Sequence, residues 1–235
     1  MSAAAPIGWE RPAALLLDMD GTLVDTEPLW FEAAGEAVAR FGAHLPASAE
    51  TALLGLDTAG YVAALHAHVR PDVAPAALHA AVLAALRDRL RHARARPGAA
   101  ELVAAAMAHD VRCAVVSNSS AQVVHDTLAP HAFAAHLSVR LSADDVPRPK
   151  PAPDLYLAAI ARIGVPAERC VAVEDSPTGA RAAVAAGLRC IGVAPDLEDA
   201  DALRAVATVV VRSLDEAGQR LDLLRQPSYT DGDPA

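Results

Sequence analysis

Six short apolar runs constrain this chain more than any other feature: residues 13–17, 112–116, 137–141, 170–173, 190–193 and 208–211. Each is too short for a helix, and most are separated by segments of helical periodicity. Strands that are apolar throughout, rather than alternating, are buried on both faces. Strand and helix in alternation then read as an α/β fold with a parallel sheet covered on both sides.

Residues 26–95 interrupt that rhythm. They show helical periodicity and no convincing strand. Thr26 can cap a helix with Pro28 in its first turn, Gly42 can stop it, and further helices are expected near 47–54, 58–69 and 75–94. Pro97-Gly98 then marks the return to the α/β pattern. This predicts an all-α insert at 26–96 within a core made of 1–25 and 97–225, hinged near Asp25 and Arg96. An insert at that point emerges beside the end of the first strand and is placed to act as a lid. The polar stretch 226–235 is expected to be a disordered tail.

The 235 residues suffice for a sizeable core. A formal net charge of −9 argues against nucleic acid and anionic membrane as partners, and no apolar run is long enough to span a bilayer. The local basic run Arg87, Arg89, Arg91, Arg94 and Arg96 reads as the solvated end of a long helix rather than a binding patch. Cys113, Cys170 and Cys190 sit at predicted strands without disulfide or metal spacing, which suits buried thiols in a reducing cytoplasm. A monomer or weak homodimer is expected.

Four polar motifs follow the apolar runs. After the first comes Asp18-Met19-Asp20-Gly21-Thr22. Strand alternation sends both carboxylates to one side at the C-terminal edge, where open α/β sheets place ligands, although Asp and Gly also suit a plain turn. After the second comes Ser117-Asn118-Ser119-Ser120, with the only asparagine of the chain. Ser119 or Ser120 can cap the next helix, and free N–H groups there make an anion pocket. The third piece is Arg148-Pro149-Lys150-Pro151, which carries the only lysine beside 19 arginines. A compact ammonium on a proline-stiffened loop suits a phosphate and a neighbouring carboxylate. The fourth is Glu174-Asp175-Ser176-Pro177, adjacent acids closing a strand before a helix that ends at Gly187. Acids gathered with Asp18 repel unless a cation joins them, and hard oxygen donors favour Mg2+. Capping by Asp175 or Ser176 is the structural alternative. Nucleophile, proton carrier, anion cradle, cation and metal site together form a phosphoryl-transfer set.

These four motifs, in this order, resemble those of haloacid-dehalogenase-superfamily phosphatases with a helical cap inserted after the first motif. The resemblance spans nearly the whole chain. It implies a Rossmann-like core, a Mg2+ cofactor and an aspartyl-phosphate intermediate. By resemblance Asp18 is the nucleophile and a metal ligand. Asp20 gives its backbone carbonyl to the metal and acts as general acid, then base, and Thr22 helps position it. Ser117 and the Asn118 backbone hold the phosphate, Lys150 neutralises phosphate and Asp18, Asp175 binds metal, and Glu174 does so directly or through water.

Residues 18–30 resemble those of small sugar-phosphate phosphatases and β-phosphoglucomutases. The mutase pattern has His where Trp30 stands and a basic residue where the cap loop reads Gly55-Leu56-Asp57-Thr58. Hydrolysis of a small phosphorylated metabolite is therefore expected over mutase chemistry. The cap loop, Glu27 and Trp30 are placed on the substrate side, with Trp30 equally able to serve the cap core. A neutral polyol and phosphoglycolate are both candidate substrates. The competing reading from another class is a silent fold member that binds a partner through residues 87–96.

Overall fold

The computed structural model describes residues 9–53, 56, 58–197 and 200–224. Gly55, Asp57 and the stretch 226–235, with the tail expected there, lie outside the described residues. At the centre is β1 (Ala14–Leu17), every residue of it buried. Around it run β4 (Arg112–Val116), β5 (Leu137–Leu141), β6 (Cys170–Glu174), β7 (Arg189–Val193) and β8 (Val209–Val211). The sheet order is β5-β4-β1-β6-β7-β8 and every pairing is parallel. Side chains of β1 alternate between two cores: Leu15 and Leu17 join one, Ala14 and Leu16 the other. Helices α5 (Ala99–Ala108), α6 (Ala121–Leu128) and α10 (Leu214–Arg220) cover the first face. The second is covered by α7 (Asp154–Ile163) and α8 (Pro177–Ala185).

Register is what positions the site. Leu17 stands opposite Val115 of β4 and Val173 of β6. The three strands therefore end nearly level, and the polar residues at their ends emerge side by side: Asp18 after β1, Ser117 after β4, Glu174 closing β6 and Asp175 after it. The Asp18 amide extends the ladder by donating to Val173 O at 3.0 Å, and the Ser117 amide donates to Leu141 O at 3.0 Å.

Between Asp25 and Arg94 lie α1 (Glu27–Arg40), α2 (Glu50–Leu53), α3 (Thr58–His66) and α4 (Pro75–Leu90). α1 packs along α4, and α4 also touches α6, so apolar contact runs unbroken from these helices into the β1 core. The chain leaves and re-enters through β2 (Val24–Asp25) and β3 (Arg94–Ala95), paired antiparallel. Two details differ from the sequence reading. A strand does exist before residue 96, and the helix expected to reach 94 ends at Leu90. β3 is two exposed residues whose strand character comes only from pairing with β2, which no local pattern encodes. Nor is the basic run a uniform helix end. Arg89 pairs with Glu36 at 3.0 Å and Glu32 at 3.4 Å on α1, Arg94 lies on β3, and Arg96 meets Asp25 at 3.6 Å.

Candidate active site

Asp18 sits one residue beyond β1, and its two oxygens differ. Oδ1 accepts from Lys150 Nζ at 2.6 Å, while Oδ2 is buried without a hydrogen-bond partner. Burial pushes the Asp18 carboxyl up to about 8, against the pull of Lys150 and with added repulsion from Glu174 and Asp20. The chain then turns at Gly21, whose φ of +80° favours glycine. A Cβ there would lie 1.9 Å from Asp175 Oδ2, so the turn and the acid can approach only because the side chain is missing.

Asp20 is held by three hydroxyls. Its Oδ1 accepts from Thr26 Oγ1 at 2.7 Å, and its Oδ2 from Ser117 Oγ at 3.0 Å and Ser119 Oγ at 2.9 Å. This redistributes three expected roles. Thr22, expected to steady Asp20, is buried in the turn with its hydroxyl unpartnered. Thr26 precedes α1 but makes no side-chain cap bond, because its hydroxyl is spent on Asp20. Ser119 likewise serves Asp20, while the start of α6 takes its acceptor from Asp144, which receives the Ala121 N–H at 2.8 Å.

Lys150 is buried and all three of its donors are used: on Asp18 Oδ1 at 2.6 Å, Glu174 Oε1 at 2.6 Å and Val116 O at 2.7 Å. Burial alone would depress the ammonium, but the carboxylates of Asp18 and Glu174 outweigh it and hold it above the usual lysine range. Three acceptors converging on one point suit an ammonium and not a planar guanidinium. The loop carrying it is clasped by Asn118, whose Nδ2 donates to Lys150 O at 3.0 Å and whose Oδ1 accepts the Lys150 N–H at 2.8 Å. The family resemblance gives Asn118 a role through its backbone only; the amide side chain explains why asparagine stands there.

Glu174 is fully buried, and its Oε1 also accepts from Tyr156 of α7. Burial, and then Glu174, push the Tyr156 phenol well above its ordinary range, so it stays a neutral donor. α8 starts close behind: a Cβ on Gly179 would meet Glu174 Oε2 at 1.9 Å. Ser176 does cap this helix, accepting the Gly179 N–H at 3.0 Å.

Asp18, Glu174 and Asp175 each offer a carboxylate oxygen, all within 4.8 Å of one another. Burial and the charges of Asp18, Glu174 and Glu27 push Asp175 well above the usual carboxylate range. Three hard carboxylate donors, with no sulfur or imidazole in the cluster, suit Mg2+.

Over these groups opens a cleft of about 820 Å³, including its mouth. Its core side is Asp18, Asp20, Asn118, Ser119, Lys150, Ser176 and Thr178; its other side is Thr26, Glu27, Trp30, Phe31, Leu53, Leu56 and Tyr61. Ser117, Thr22 and Glu174 are buried and do not line it. Trp30 does both things open to it. It lines the cleft and packs edge-on against Tyr61, centroids 5.2 Å apart, while Tyr61 Oη donates to Trp30 O at 2.9 Å.

A model of the haloacid dehalogenase-like hydrolase family matches residues 12–187. Protein CbbY of Cereibacter sphaeroides is 36% identical over 190 residues, covering 76% of this chain and 82% of that protein. Fructose-1-phosphate phosphatase YqaB of Escherichia coli (strain K12) is 32% identical over 186 residues, 79% of this chain and 98% of that one. Among solved structures, CbbY from Rhodobacter sphaeroides in complex with phosphate superposes with a TM-score of 0.79 at 31% identity, covering 90% of this chain and 99% of its own.

Proposed function

We propose a reaction for this chain, which belongs to the haloacid dehalogenase-like hydrolase family: Mg2+-dependent hydrolysis of a small phosphorylated metabolite, a sugar phosphate or similar phosphomonoester, through a phosphate carried transiently on Asp18. One observation carries the reading. Asp18 Oδ2 is buried and unpartnered below the cleft, while its sister oxygen is pinned by Lys150.

In the first step Asp18 Oδ2 attacks phosphorus in line with the departing alcohol. The P–O ester bond breaks, and Asp20 gives its proton to the leaving oxygen. In the second step Asp20 takes a proton from water, the water oxygen attacks phosphorus, and the acyl phosphate releases inorganic phosphate and free Asp18. Lys150 keeps Asp18 oriented and offsets charge where carboxylate and phosphate meet. The Asn118 backbone receives phosphate oxygens, while the buried Ser117, expected beside it, acts through Asp20, to which its hydroxyl donates. Asp18, the Asp20 carbonyl and Asp175 would hold Mg2+, with Glu174 behind them. When bound it supplies charge compensation to the carboxylates and the phosphoryl oxygens.

Residues 26–96 act in this reading as a lid on the β2–β3 ribbon over the core of 1–25 and 97–225, keeping bulk water out until the alcohol has formed. Hydrolysis is favoured over mutase chemistry because Trp30 stands where the mutase pattern has His. Two relatives are named as phosphatases, a fructose-1-phosphate phosphatase and a probable pseudouridine-5'-phosphatase, which supports the phosphatase reading, while two similar solved structures carry a putative β-phosphoglucomutase name. Among the described residues no helix is long and apolar enough to cross a membrane. We place the enzyme in the cytoplasm, as a monomer or weak homodimer.

The test is phosphate release from p-nitrophenyl phosphate and a panel of sugar phosphates, with Mg2+ and with EDTA. EDTA-sensitive release is expected, together with a rise in melting temperature of about 5 °C or more on adding saturating Mg2+, since binding to the folded state alone stabilises it. Release that ignores EDTA, or no release at all, overturns the reading. Isomerisation of a sugar phosphate without phosphate release would favour the mutase.

A further inference from the structure

The two walls of the cleft carry opposite chemistry, and the cap wall is unusual in its charge. Trp30, Phe31, Leu53, Leu56 and Tyr61 give it an apolar face, and its one charged side chain among the described residues is Glu27. The sequence extends this beyond the described residues: neither 26–39 nor 45–65 contains a Lys, Arg or His, while both contain acids. The only cation lining the cleft among the described residues is Lys150, with all three donors already committed on the core side.

An anion far from the reacting phosphate would thus face apolar side chains, with no cation among the described residues of the cap wall to replace its lost water. A neutral ring fares differently. Trp30 packs edge-on against Tyr61, whose hydroxyl holds the Trp30 main-chain carbonyl, so an aromatic surface with only two side-chain torsions stands ready in the cleft. We infer that this cleft selects phosphomonoesters with a neutral, ring-bearing alcohol and one phosphate, and discriminates against bisphosphates and phosphorylated acids. Trp30 and Leu56 are the specificity-determining positions. The inference rests on the phosphomonoesterase reading for its chemistry, and it removes phosphoglycolate from the candidate substrates.

The test compares kcat/KM for glucose 6-phosphate and ribose 5-phosphate with that for fructose 1,6-bisphosphate and phosphoglycolate. The better of the neutral-bodied esters should lead both anionic substrates by at least about tenfold. Leu56→Lys, which adds a cation to the cap wall, should narrow that gap severalfold, chiefly by lowering KM for the bisphosphate. Trp30→Ala should raise KM for the ring esters severalfold and leave the inhibition constant of inorganic phosphate unchanged, since phosphate alone does not reach the ring. Preference of the native enzyme for either anionic substrate, or a gap that Leu56→Lys leaves untouched, overturns the inference while the phosphatase reading stands. Calorimetric binding of the same four compounds to Asp18→Asn, which needs no turnover, keeps the two apart. If no compound is hydrolysed by the native protein, the phosphatase reading falls, and the order of affinities still decides the selection.

Discussion

The core wall and the cap wall of the cleft are built on different principles. On the core wall the groups around the unpartnered Asp18 Oδ2 are tightly held: Asp20 by three hydroxyls, Lys150 by three acceptors and an amide clasp, Asp18 Oδ1 by Lys150. These groups stand at strand ends whose spacing the sheet fixes. The cap wall is tied by the Tyr61 hydroxyl to the Trp30 carbonyl and held mainly by packing. Precision sits where bonds are made and broken; the surface that meets the variable part of a substrate is apolar and easily re-cut. Small changes should therefore be severe on one side and mild on the other.

The largest break should come from Asp18→Asn, which keeps shape and removes the proposed nucleophile. Turnover should drop by at least about 10⁴-fold, with the melting temperature near that of the native protein, because an amide oxygen can still accept from Lys150 Nζ, which keeps Glu174 as its partner. Robust phosphate release by this variant would remove Asp18 from the chemistry. Lys150→Met comes next. It leaves Asp18 and Glu174 buried without their cation, and urea unfolding in metal-free buffer should show a loss of about 3–5 kcal/mol. Gly21→Ala forces a Cβ into Asp175 at a positive φ. A fall in kcat of about 100-fold is expected from misplacing the acid, and an alanine variant with native kcat would show that the turn tolerates the shift. On the cap side Arg89→Ala cuts two partly exposed ion pairs to α1. The melting temperature should stay within about 2 °C, as for surface pairs generally.

The same contrast governs how much was legible in the sequence. The core strands and four motifs could be read because polar residues at the ends of fully apolar runs have no packing explanation. The sheet itself and family membership agreed with that pattern. What escaped are roles that depend on distant chain meeting at one point. Thr26 and Ser119 looked like helix caps, since hydroxyls at helix starts usually are; only the turn through Gly21 brings Asp20 between them. Tyr156 was not singled out in the sequence, because nothing local reveals that its hydroxyl meets Glu174. The side-chain role of Asn118 needs the 148–153 loop alongside it. In the cap, two-residue β3 was invisible because its hydrogen bonds belong to a partner about 70 residues earlier.

The level endings of β1, β4 and β6 also bear on how such a chain can change over generations. Deletions and duplications between Thr26 and Arg96 alter only what hangs above the chemistry. One residue gained within β4 or β6 would rotate every later side chain of that strand to the opposite face and carry Ser117, or Glu174 with Asp175, out of reach of Asp18. Diversification is thereby channelled into the helical segment, and the strand lengths are frozen.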